Sequence, residues 1–153
     1  MMITIRKANK EDAKKLKEVS DKAFLSDYVK YGECPGYGQT IEKICTTIVD
    51  PKRDVFAILC DGEVVGKISV VKENRERNYL GCLCIIPEYE NLGIGQKAMR
   101  YIENYYKCVK SWYLVTPADK LRNHYFYKKC GYSITGKQMD GKVEVVTFEK
   151  IIK

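Results

Sequence analysis

The segment Cys84-Ile85-Ile86-Pro87-Glu88-Tyr89-Glu90-Asn91-Leu92-Gly93-Ile94-Gly95-Gln96-Lys97 joins a strand to a helix through a glycine-containing loop. Leu80 to Ile86 is an apolar run suited to a buried strand, and Pro87, which lacks an N–H, stops it. Downstream, Ile94, Ala98, Tyr101, Ile102 and Tyr105 supply one apolar face of a helix expected from about Gly95 to Cys108. The first turn of a helix carries amide hydrogens without intrahelical partners and the positive end of the macrodipole. Glycines let the backbone approach a ligand closely. A pyrophosphate cradle of backbone amides is therefore expected here, with Lys97 and Arg100 adding positive charge. By itself, G-x-G before a helix reads equally as a tight strand-to-helix turn. It is not the dinucleotide fingerprint: no strand with an acidic end follows at the distance a ribose needs. Three strands joined by short turns also make the wrong start for a parallel sheet.

Upstream, Val55 to Cys60 is a continuous apolar run, Asp61-Gly62 signals a hairpin, and Val64 to Val71 is its partner strand. Met1 to Arg6 reads as a further strand. Asn9 and Asp12 resemble a helix N-cap with an acidic third position, and Ala13, Leu16, Val19 and Phe24 recur at helical spacing over about residues 10–25. Tyr31 to Gly38, with three glycines and a proline, is a loop, and a short helix spans Thr40 to Val49. Beyond the glycine segment, Trp112 to Thr116 is a strand, Pro117 opens a helix running to Cys130, and Gly131 caps it. Tyr132 to Thr135 and Val143 to Ile151 close the chain as strands. The order β-α-α-β-β-β-α-β-α-β-β predicts an α/β (α+β) fold with a central mixed sheet and helices on both faces. No linker or repeat interrupts it, so residues 1–153 are expected to form one domain.

Hydrophobic residues make up 45% and charged residues 31% of the 153, an ordinary globular balance. No apolar run approaches the roughly 20 residues of a membrane helix, and the N-terminus lacks signal-peptide features. A cytoplasmic location and no membrane partner are expected. The seven cysteines are scattered without a C-x-x-C pair, and His124 is the sole histidine, so no metal site is expected. Cys82 and Cys84 would share one face of a strand as small buried hydrophobes. With 27 basic against 20 acidic residues, the net charge of +7 suits a polyanionic ligand such as a nucleotide cofactor. Because the lysines are spread along the chain, a generally solvated basic surface explains it too, and nucleic acid is not the expected partner.

Residues 85–97, with Ile-x-Pro-x-x-x-x-x-Gly-x-Gly, resemble the acetyl-CoA signature of GNAT acyltransferases, V-x-P-x-x-Q/R-x-x-G-x-G/A. Phe126-Tyr127-Lys128-Lys129-Cys130-Gly131-Tyr132 is similar to the family's second signature, F-Y-x-x-x-G-F/Y, one helix and one strand later. The resemblance implies a GNAT-like, mainly antiparallel sheet of about seven strands flanked by about four helices, and acetyl-CoA (coenzyme A) as cofactor. It further implies that Ile85 and Ile86 pair with the pantetheine arm as an added strand does. The amides of Leu92, Gly93, Ile94, Gly95 and Gln96 would hold the pyrophosphate, and the amide near Ile85 would polarise the thioester carbonyl. Coenzyme A would enter a gap between this strand and Ser111 to Thr116. Two positions depart from the pattern: Glu90 stands where the family has Gln or Arg, and Lys120 stands where many members have an asparagine, with Asn123 a turn later.

Tyr127 is the residue expected to carry chemistry. On a helical wheel Leu121, Tyr125, Phe126 and Cys130 form an apolar arc, while Lys120, Asn123 and Tyr127 share a polar face. Aminolysis of a thioester expels a thiolate of pKa about 8.5, which a phenol of pKa about 10 can protonate; the family commonly uses this tyrosine so. A tyrosine that only packs against the cofactor is the alternative. Asp27, Glu33 and Tyr31 lie between the first two helices, which line the acceptor site in the family; the acids could hold a cationic amine or take its proton. His124 falls toward the polar side of the wheel, as an exposed residue without a role. The expected function is N-acetylation of a primary amine on a small molecule or peptide. Action on charged tRNA, as by some basic GNAT toxins, and a non-catalytic acetyl-CoA sensor are the alternatives. A homodimer is compatible with each.

Overall fold

The computed structural model describes residues 1–152. Its elements are β1 (Ile3–Lys7), α1 (Ala13–Tyr31), α2 (Ile41–Val49), β2 (Arg53–Cys60), β3 (Glu63–Lys72), β4 (Arg77–Ile85), α3 (Ile94–Tyr105), β5 (Ser111–Pro117), α4 (Leu121–Lys129), β6 (Ser133–Asp140) and β7 (Val143–Ile151). Short 3-10 turns at Lys10–Asp12 and Pro87–Tyr89 precede α1 and follow β4. The seven strands form one sheet in the order β1-β2-β3-β4-β5-β7-β6. Every adjacent pair is antiparallel except β4 and β5. This is the mixed, mainly antiparallel seven-stranded sheet with four helices that the sequence predicts.

Local chemistry explains the boundaries. Asn9 and Asp12 form a reciprocal capping box at the entry to the first helical region. Thr40 caps α2 through its side chain, which accepts from the Lys43 amide. α1 runs six residues past the expected end at 25 and stops at Gly32, whose φ of 76° is in the left-handed region. Pro117 ends β5 instead of opening α4: a fixed φ and a missing N–H suit either place, and pairing of Pro117 with Val145 decides it. β6 reaches Asp140 instead of stopping at Thr135. It is an exposed edge strand with little apolar alternation, and pairing along β7 sets its length.

The sheet is covered on both faces. Val55 and Ala57 pack beneath Ala13 and Leu16 of α1 and Ile44 of α2. The alternate residues Phe56 and Ile58 join Ala98, Met99 and Ile102 of α3 in the main core, and the Tyr101 and Tyr105 rings meet Phe56 edge-on.

One irregularity creates the cleft. β4 and β5 pair only from Arg77–Ser111 to Tyr79–Tyr113. Beyond that, β4 stays on β3 as far as the Gly66–Ile85 pair, while β5 stays on β7. The parting begins at a bulge: Ser69 faces Cys82 and Val70 faces Leu80, leaving Gly81 as the extra residue. A bulge bends its strand and sharpens the local twist, which turns β4 away from β5 here. Gly66 fixes the far end, since a Cβ there would lie 2.3 Å from the Cys84 carbonyl oxygen.

Candidate active site

Between the parted strands lies a cleft of about 1170 Å³, somewhat above the 300–1,000 Å³ of ordinary ligand pockets. Its walls come from β4, β5, the start of α3, the inner face of α4 and the stretch from Phe24 to Gly36.

At one end is the glycine turn. Asn91 and Gly93 have φ of 61° and 81°, and α3 starts at once after them. The Lys97 amide is the first to find an intrahelical partner, bonding the Gly93 carbonyl at 3.2 Å. The amides of Ile94, Gly95 and Gln96 therefore have no carbonyl within the helix to bond, and Gly93 to Gln96 line the cleft. Gly95 lies against the Phe126 ring, where a Cβ would sit at 3.0 Å. Three expected cofactor residues fall outside the lining: Ile86, Leu92 and Lys97. Leu92 is exposed. Ile86 gives its N–H to the Val65 carbonyl at 2.9 Å and accepts from the Tyr89 amide at 3.0 Å, so its backbone is already satisfied. Strand alternation turns the Ile85 amide the other way, toward the gap. Glu90 is paired with Arg122 at 2.7 Å, which offsets its charge beside the turn.

Tyr127 lines the cleft with Lys120 and Asn123, as the helical wheel expects, and Phe126 and Cys130 of the apolar arc pack against the core, but the rest of that arc does not. Leu121 and Tyr125 are exposed, and the buried face of α4 carries His124 and Tyr127. The anchor is Phe148 on β7, against which the His124 and Tyr127 rings pack at 5.3 and 5.7 Å. His124 is thus a buried structural residue whose Nε2 lies 3.0 Å from the Pro117 carbonyl, not an exposed one. Among the described residues the Tyr127 hydroxyl has no hydrogen-bond partner, and burial pushes its pKa above the ordinary phenol value. Asn123, one residue from this face, donates to Thr116 Oγ1 at 3.1 Å and so ties α4 to β5.

Asp27, Tyr31 and Glu33 all line the other end of the cleft, and each is already engaged. Asp27 holds Lys120 at 2.7 Å, with both side chains largely buried. Tyr31 donates to Asp119 at 2.6 Å. Glu33 accepts from the Lys142 amide at 3.0 Å, across the β6–β7 turn. Lys120, which departs from the family pattern, thus fastens α1 to the loop before α4. Cys82 and Cys84 share the floor of the cleft. The neighbouring Cys84 thiol lowers the Cys82 pKa, while Cys84 itself is raised. Lys67 of β3 lines the same floor and is buried. It was legible in principle as a lone charge inside the apolar run Val64 to Val71.

A family model described as the acetyltransferase (GNAT) family matches residues 18–132. A Bacillus subtilis protein known as uncharacterized protein YrkN is 40% identical over 87 residues, 55% of this chain and 46% of that protein; the chain thus spans about half the length of that relative. Spermidine N(1)-acetyltransferase of Escherichia coli is 23% identical over 90% of this chain and 76% of its own length. Among solved structures, the PaiA N-acetyltransferase of Thermoplasma acidophilum, in complex with coenzyme A, superposes with a TM-score of 0.83 at 22% identity over 99% of both chains. A Vibrio cholerae spermidine N-acetyltransferase bound to CoA and spermine does so at 0.78 and 14% identity, over 97% and 95%.

Proposed function

Because the chain belongs to the acetyltransferase (GNAT) family, whose cofactor is acetyl-CoA, we propose that it moves an acetyl group onto a primary amine of a small molecule or peptide by direct attack, with Tyr127 as general acid. The observation that carries this reading is the position of Tyr127, partnerless and facing the cleft where β4 parts from β5.

The residues present fit the cofactor. β4 lacks a neighbour on its β5 side from Leu80 to Ile85, so its free backbone suits strand-like pairing with the pantetheine arm. The unpartnered amides of Ile94, Gly95 and Gln96, at the positive end of α3, suit the pyrophosphate. When bound, acetyl-CoA supplies a thioester carbonyl as the electrophile. The Ile85 amide is positioned to donate to the oxygen on which charge develops. The Tyr127 hydroxyl keeps its proton at neutral pH and can donate it toward a departing sulfur, and the proton that the acylated nitrogen sheds restores the phenol. Asp27 shares its charge with Lys120; with Tyr31 and Glu33 it forms the acceptor wall, positioning the amine instead of acting as a strong base. The spermidine acetyltransferases among the relatives support a small-molecule acceptor, and a cytoplasmic location accords with it.

The test is thiol release from acetyl-CoA against a panel of amines, for wild type and Tyr127→Phe. Loss of the acid should lower kcat by about 10²- to 10⁴-fold, with acetyl-CoA affinity unchanged by calorimetry. Binding without turnover on any amine would favour the sensor reading. Absence of acetyl-CoA binding would overturn the proposal.

A further inference from the structure

Lys67 has no part in the chemistry above, yet it is 8% exposed and lines the cleft. It stands opposite Ala57 of β2 and Cys84 of β4. Directly opposed residues share a face of a sheet, and Ala57 packs under α1 and α2. Lys67 therefore points to the face covered by α1 and α2, on the floor of the acceptor end. Among the described residues no carboxylate lies within 4.0 Å of its ammonium. Asp21 feels the Lys67 charge but is bonded by Lys17 at 3.0 Å and the Gly38 amide at 2.8 Å; of the acids lining the cleft, Asp27 is held by Lys120 and Glu33 by the Lys142 amide, and Asp140 lies beyond 4.0 Å of the ammonium. The other largely buried lysine of the cleft, Lys120, has its partner. Of the two thiols nearby, Cys84 is raised and keeps its proton, while Cys82 is lowered, first by the Cys84 thiol and further by the Lys67 charge.

An ammonium that faces the cleft with, among the described residues, no carboxylate in ion-pair reach offers its charge to a ligand that brings the opposite one. We infer that the amine accepted by this protein also carries a carboxylate, as an amino acid does, and that Lys67 receives that carboxylate. This rests on the acyl-transfer reading for which end of the cleft takes the acceptor. A buried lysine on the floor would repel a polycation such as spermidine, so this chain would differ in acceptor class from its spermidine-acetylating relatives.

The test needs no turnover. Protein loaded with coenzyme A is titrated in a calorimeter with N-acetyl-alanine, N-acetyl-leucine and N-acetyl-phenylalanine, and with the methylamide of each. The acids should bind about tenfold or more tighter than their methylamides. Lys67→Met should remove that difference and Lys67→Arg should keep part of it, with coenzyme A binding as the check on folding. Equal binding of acids and methylamides, binding of neither set, or a preference that survives in Lys67→Met would each overturn the inference. Lys67-dependent binding of the acids, with no thiol release from any free amino acid, would instead sink acyl transfer and leave the carboxylate site standing.

Discussion

Tyr127 shows how position can matter more than residue type. A phenol on a solvated helix face would titrate near its ordinary pKa of about 10. Here burial, followed by the nearby Cys82 and Cys130 groups, raises it, because removing water disfavours the phenolate. The sign is simple: a raised pKa keeps the acid form populated further into alkaline solution. The kcat–pH profile should therefore show no alkaline fall from Tyr127 up to about pH 10. An alkaline limb below pH 9 that vanishes in Tyr127→Phe would contradict this placement. His124, three residues earlier, has the opposite lesson: an imidazole beside the cleft is held by the Pro117 carbonyl and Phe148, which leaves it no access to substrate.

Among the elements, the junction of the glycine turn with α4 carries the most information. Glu90 puts a carboxylate beside the expected pyrophosphate site, and Arg122 from the first turn of α4 pairs with it. Arg122 is 66% exposed, so the pair adds little to stability. Its effect should appear in cofactor binding instead. Arg122→Ala should weaken coenzyme A affinity several-fold by unmasking Glu90, and Glu90→Gln in the same chain should restore it. Isothermal titration at low and high salt checks this, since the effect should shrink as salt screens the charges. Loss of affinity that Glu90→Gln does not restore would mean that Arg122 touches the cofactor directly. The helix carrying Tyr127 is thus coupled to the turn, and Phe126 against Gly95 reinforces the coupling.

For the whole molecule, acid sensitivity follows from paired carboxylates spread over the sheet. Burial alone would raise the Asp54 pKa, but the hydrogen bond from Tyr106 and the charges of Lys7 and Lys72 outweigh it and hold it below the ordinary value. Arg6 lowers Asp12, and Arg77 lowers Glu149. A carboxylate whose folded pKa is depressed stabilises the fold above its unfolded pKa, and that contribution is lost as pH falls through the folded value. The melting temperature should be flat between about pH 7 and 5 and fall below about pH 4. Asp54→Asn should flatten part of that acid limb in a thermal melt followed by circular dichroism. An unchanged acid limb would assign the loss to other groups.

The order of elements and the two motifs were legible in the sequence because they rest on local rules. Glycine and proline punctuation, apolar periodicity and capping residues act over a few positions, and Val143–Ile151 emerged with its expected ends. Tyr127, Gly93 and Gly95 could be singled out because motif spacing is a property of the chain. Tertiary structure decided the rest. The wheel of α4 brought Lys120, Asn123 and Tyr127 to the cleft and Phe126 and Cys130 to the core but misplaced Leu121, Tyr125 and His124, because Phe148, far along the chain, selects which side packs. The free amide of Ile85 and the engaged one of Ile86 follow from the register of β4 on β3. The pairing of Asp27 with Lys120, and the lack of a close ion pair for Lys67 among the described residues, depend on how separate strands and helices meet. Sequence periodicity reports which residues can be buried, whereas counterions and cleft walls are set by which distant segments meet.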